Sequence, residues 1–68
     1  MIFKPFRPPE PQIGVEYRLY FLDGAGHVQK AHEFVARDDG HAIKLCEGWR
    51  EGRSVELWQG GRLVLRRT

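Results

Sequence analysis

Apolar residues recur at every second position from Val15 to Leu22, switch to every third or fourth from Ala42 to Trp49, and return to alternation from Val55. A period of two belongs to a half-buried strand and a period near 3.6 to an amphipathic helix. Turn-forming glycines mark the changes: "DGAGH" (residues 23–27) and Gly60-Gly61 inside "VELWQGGRLVLRRT". The spacing predicts strands near 16–22, 28–36, 54–59 and 62–67 and a helix near 39–51. Asp38 or Asp39 is the expected N-cap, and Gly52 the glycine that stops the helix.

This element order gives an α+β fold of type β-β-α-β-β. Connection rules favour a four-stranded, mainly antiparallel sheet ordered 2-1-3-4, with 2-1-4-3 as the alternative and the helix on one face. Residues 15–68 form a single small α+β domain. Residues 1–14 are read as an N-terminal arm outside it, because Pro5, Pro8, Pro9 and Pro11 remove backbone donors and favour extended or polyproline conformations. Ile2, Phe3 and Phe6 give that arm side chains able to dock on a neighbouring surface.

The strands are apolar on both sides. The first carries Tyr17, Leu19 and Phe21 on one face and Arg18, Tyr20 and Leu22 on the other. The second is more polar and reads as an edge, with Val28 and Phe34 on one face and Ala31 and Val35 on the other. If Gly60-Gly61 is a two-residue turn, regular pairing sets Val55, Leu57 and Val64 on one side of the last hairpin. Trp58, Leu63 and Leu65 then lie on the other, with Glu56 diagonal to Arg67. The helix presents Ala42, Leu45, Cys46 and Trp49 as one stripe, with Ile43 at its border. It is expected to cover Leu19, Phe21, Leu57 and Val64 and to hold Trp49 in the core.

One helix covers only one side. A bare second face of large side chains is rare on a monomer, so this face is expected to bind, and a second copy of the chain is the simplest partner. The expected homodimer interface is Tyr20, Trp58, Leu63 and Leu65, with another protein as an alternative occupant. Size points the same way. A chain of 68 residues buries only about 60% of its unfolded surface, and such folds need disulfides, a metal or association. The one cysteine, Cys46, makes no internal disulfide, which suits a reducing cytoplasm.

Several functions are excluded or disfavoured. With 41% hydrophobic residues the chain is too apolar to be disordered, and no run approaches a membrane span. Prolines interrupt the start where a signal peptide needs an apolar core. His27, His32 and His41 are not spaced as metal ligands, so no metal or cofactor is expected. Cys46 lies on the buried stripe, Ser54 has no glycine elbow, and Asp38-Asp39 reads as a helix start. No catalytic residues emerge, and the chain reads as non-enzymatic.

Charge supplies the alternative function. Residues 50–68 carry five Arg and two Glu, a net of +3, whereas residues 1–49 carry six Lys/Arg and seven Asp/Glu, a net of −1. Arg53, Arg62, Arg66 and Arg67 flank Trp58, a set suited to phosphate contact and base stacking in a small nucleic-acid-binding protein.

"YRLYFLD", the pattern Phe34, Ala36, Asp38, Asp39, Ala42, Ile43, Leu45, and "ELWQGGRLVLR" resemble a set of short uncharacterised bacterial proteins. The likeness runs from Tyr17 to Arg66, with the alanine of the middle pattern displaced by one residue. It implies a domain family and brings no activity. A looser outline, carried by Tyr17, Asp23, Gly24, Asp39 and Ala42, is similar to HicB-type antitoxins. The proline and cysteine usual near the second strand's turn are missing here, and no separate DNA-binding segment follows.

Overall fold

The computed structural model describes residues 14–68, and all but the last residue of the arm that the sequence sets apart, including Ile2, Phe3 and Phe6, lies outside them. The elements are β1 (Val15–Leu22), β2 (Val28–Ala36), α1 (Asp39–Arg50), β3 (Val55–Gln59) and β4 (Arg62–Arg67). They form an antiparallel sheet in the order β2-β1-β3-β4. Putting β3 beside β1 makes the two most apolar strands central. The helical crossover between β2 and β3 then returns over a single face, as the sequence predicts.

Local chemistry sets the element ends. Asp23 closes the first hairpin by accepting from the backbone N–H groups of Ala25 and His27, each at 2.9 Å. Asp38 is the N-cap: its carboxylate accepts from the His41 N–H at 2.9 Å, meeting one of the unpaired donors of the first turn. The helix ends at Arg50 with Glu51 as its C-cap, which sets Gly52 at the position just beyond the cap, as expected. Glu51 takes the left-handed conformation at φ 50°, and Gly52 follows at φ 77°.

The core lies between the helix and one face of the sheet. Leu19, Leu57, Val55, Cys46 and Ala42 are fully buried, and Tyr17, Phe21 and Ala36 nearly so. Leu45, Ile43, Phe34, Val64 and Leu65 pack around them. The helix therefore covers the Leu19, Phe21 and Leu57 face, as expected from its small and aliphatic stripe.

Three side chains depart from the expected alternation or burial. In the last hairpin Trp58 faces Leu63 but Leu57 faces Leu65, so Val64 is an extra residue, a β-bulge. Beyond it the strand's faces are exchanged. Leu65 packs on the helix side with the core, not beside Trp58 and Leu63, and Glu56 faces Arg66. A second irregularity, with Phe21 opposite Lys30 and Leu22 opposite Val28, turns Val28 away from the face of Phe34. Trp49 is 38% exposed and sits at the margin of the core. Its ring meets Phe34 and His32 edge-on, with centroids 4.9 and 4.8 Å apart, and β2 is an edge strand beyond which no other strand of the described residues lies to enclose the indole.

Candidate functional site

The face opposite the helix is built by the even-numbered residues of β1 and their cross-strand neighbours. Arg18 stands between Glu33 of β2 and Trp58 of β3, and Trp58 is followed by Leu63 of β4. The next row sets Ala31, Tyr20, Glu56 and Arg66 side by side. Glu16 and Val35 complete one end, and Leu22 and Val28 the other. A shallow groove of about 600 Å³ crosses this face, lined by Arg18, Tyr20, Val35, Glu56 and Trp58 among others.

Polar contacts fix the groove's aromatic rings. The Trp58 indole donates to Glu56 Oε1 at 3.0 Å, while Glu56 Oε2 accepts from Arg66 at 2.9 and 3.1 Å. Arg18 pairs with Glu33 at 2.6 Å and reaches the Tyr20 hydroxyl at 3.4 Å. Two ion pairs thus fence an apolar strip. Tyr20 and Trp58 are half-buried, Leu63 is 40% exposed, and Val28 is 56% exposed. Among the described residues no element lies over them.

Of the four expected interface residues, Tyr20, Trp58 and Leu63 share this face, and Leu65 is on the other. Alternation alone could not find the bulge that moved Leu65. The groove also includes Val35 and Val28, which the sequence analysis did not single out as binding residues. Their apolar side chains on an otherwise polar strand were the available signal.

The four candidate anion-binding arginines do not converge. Arg62 donates to both carboxylate oxygens of Asp39 at 2.9 Å, and Arg67 donates to Glu47 at 3.0 Å, both on the helix side. Arg66 is on the open face with Glu56. Arg53 lies over the Phe21 ring, 4.3 Å from its centroid, towards the opposite end of the sheet from Arg62. Three of the four are already matched to a carboxylate in exposed ion pairs, so their charge is partly offset where they stand.

Asp39 anchors a second polar cluster. Its carboxylate also accepts from the Tyr17 hydroxyl at 2.7 Å, so α1, β1 and β4 meet at one side chain. The Arg62 hydrogen bonds, with the Tyr17 bond second, hold the Asp39 carboxyl down at about 2. Burial first, then the bond to Asp39, pushes the Tyr17 phenol up to about 12. The arrangement pairs a permanent carboxylate with a permanent phenol, which suits structure more than proton transfer. Burial raises the pKa of the Cys46 thiol, which is enclosed on the inner face of the helix. His41 accepts the Arg37 N–H through Nδ1 at 3.0 Å, a local contact at the helix start.

Among the described residues no group of three or more metal-ligating side chains occurs, and no helix is long and apolar enough to cross a membrane. Compared with known proteins, the chain matches no family model, no curated protein and no solved structure.

Proposed function

We propose that the chain is a small, non-enzymatic binding module of the cytoplasm that associates with a second copy of itself through the open sheet face. The observation that carries this reading is the strip of Tyr20, Trp58 and Leu63 on the side the helix leaves uncovered. Large aromatics of this kind are the usual anchors of a protein interface. The ion pairs along the strip supply a polar rim, and a two-fold axis makes any such patch self-complementary. The non-enzymatic part is supported by the groups that might have done chemistry: Asp39 is locked to Arg62, and the Cys46 thiol is enclosed. A buried free thiol also fits a reducing compartment.

The two tryptophans provide the test. Trp58 is on the open face and Trp49 at the helix margin, so their indole N–H resonances report separately on dilution. The Trp58 signal should move with protein concentration while that of Trp49 stays fixed. Indole signals that are both independent of concentration, together with retention on a nucleic-acid column, would favour the arginine-based reading instead.

A further inference from the structure

The sheet ends in two unlike edges. The register of β4 is broken at Val64, and the strand carries Arg62, Arg66 and Arg67, devices that keep an edge from pairing with another chain. The other edge is smoother. From Lys30 to Ala36, β2 runs opposite Phe21 to Val15 without a break, and among the described residues no strand lies beyond it.

The ends of the hairpins show which backbone groups of β2 are free. The Leu22 N–H donates to the Ser54 carbonyl at 2.9 Å, towards β3, and the Asp23 N–H donates to the His27 carbonyl at 2.8 Å, towards β2. Backbone groups alternate in direction along a strand, so the odd-numbered residues of β1 bond to β2. Their partners Lys30, His32, Phe34 and Ala36 are thereby used. The N–H and C=O groups of Ala31, Glu33 and Val35 point outwards.

We propose that this edge takes up an extended segment of another protein as a fifth, antiparallel strand. Beside it, on the helix side, the Trp49 indole stands at 80° to the His32 ring and 87° to the Phe34 ring, a right-angled aromatic corner. Main-chain hydrogen bonds give an added strand its affinity, and side-chain seats of this kind give it specificity.

Cross-strand pairing names the chemistry of the segment. Glu33 gives only Oε1 to Arg18, at 2.6 Å, so its other oxygen favours a Lys or Arg directly opposite. Ala31 and Val35 on either side of it favour apolar residues. On the helix side, His32 and Phe34 favour aromatic residues, and Lys30 favours an acid. A second copy of β2 fits poorly. Pairing about a two-fold axis at Glu33 matches His32 with Phe34 but sets Glu33 against itself, and like charges so placed repel. Moving the axis one residue either way sets Lys30 against Phe34 or Glu33 against Val35.

The full-length chain and the end-blocked peptide Val-Phe-Lys-Tyr-Val-Glu, aligned from Val35 back to Lys30, provide the test. In the protein alone, amide hydrogen exchange should be fast at Ala31, Glu33 and Val35 and slow at His32 and Phe34. The peptide should slow the first set. N-methylating its lysine and second valine, whose N–H groups face β2, should weaken binding by about tenfold or more, and N-methylating its phenylalanine and tyrosine should not. Ala31→Pro removes an outward N–H that the fold does not use, and should weaken binding while leaving the circular dichroism spectrum unchanged. No binding at millimolar peptide, or equal losses from the two methylated peptides, would overturn the proposal. So would slow exchange at Ala31, Glu33 and Val35 in the protein alone, which would put the chain itself or a second copy on the edge.

Discussion

The Tyr17 hydroxyl and the Asp39 carboxylate, 22 positions apart in sequence, are joined by a hydrogen bond of 2.7 Å at the start of the helix. Arg62 closes the cluster from β4. Removing the hydroxyl by Tyr17→Phe should cost about 1.5 kcal/mol in urea unfolding at pH 7, the lower end of the range for a bond to a charged group because Asp39 is partly exposed.

The same contact makes stability depend on pH in two windows. Asp39 holds its proton less tightly when folded, so its contribution is complete above about pH 4 and lost as pH falls through about 2. Tyr17 holds its proton more tightly when folded. Its contribution is complete below about pH 10 and lost as pH rises through about 12. Urea midpoints measured across pH should show the alkaline loss shrinking in Tyr17→Phe and the acid loss shrinking in Asp39→Asn. Profiles parallel to wild type would show that the cluster is not formed in solution.

Burial ranks two large-to-small changes in the opposite order to side-chain size. Leu57 is fully enclosed, so Leu57→Ala should cost about 2–5 kcal/mol, a large part of what so small a domain possesses. Trp49→Ala loses a partly exposed ring and its edge contacts with Phe34 and His32, about 1–2 kcal/mol. Denaturant titration of both variants decides; a tryptophan change costlier than the leucine change would place the indole in the core after all.

Element types were legible in the sequence because each rests on a local pattern, whereas strand order stayed between 2-1-3-4 and 2-1-4-3, and alternation alone left both sheet faces open to the helix. Alternation in Tyr17, Leu19 and Phe21 and the stripe through Ala42 and Cys46 are visible without tertiary information. The bulge at Val64 is not, since one extra residue in a ladder leaves the spacing of apolar side chains intact and changes only which face they meet. The partner of Tyr17 was hidden by distance along the chain. Its one signal was chemical: a phenol on a core-facing strand position needs an acceptor, and of Asp38 and Asp39 only one is used as the cap. The carboxylate partners of Arg62, Arg66 and Arg67 were hidden in the same way, 23, 10 and 20 positions away along the chain.

Gly48 lies within the helix, and a Cβ built there meets no atom within 4 Å. Nothing in the described residues requires the glycine for close approach. Gly48→Ala should therefore stabilise the fold by up to about 1 kcal/mol through helix propensity, read as a higher thermal midpoint. A loss of stability would reveal a neighbour above the helix, such as another copy.

The exchanged faces of β4 separate two leucines only two positions apart. Leu65→Glu places a charge against the core side of the sheet and should destabilise the fold by about 2 kcal/mol or more, seen in the urea midpoint. If Leu65→Glu instead leaves folding untouched and alters association, the bulge is absent and the regular register holds.

Leu63 gives the most direct test, because it lies beside Trp58 on the open face and is 40% exposed within one copy. The measurement is the mass in solution, by light scattering over a range of concentrations, of wild type and Leu63→Glu. Self-association through this face requires wild type at twice the chain mass and Leu63→Glu at the chain mass with an unchanged circular dichroism spectrum. Two monomers of equal stability would contradict it.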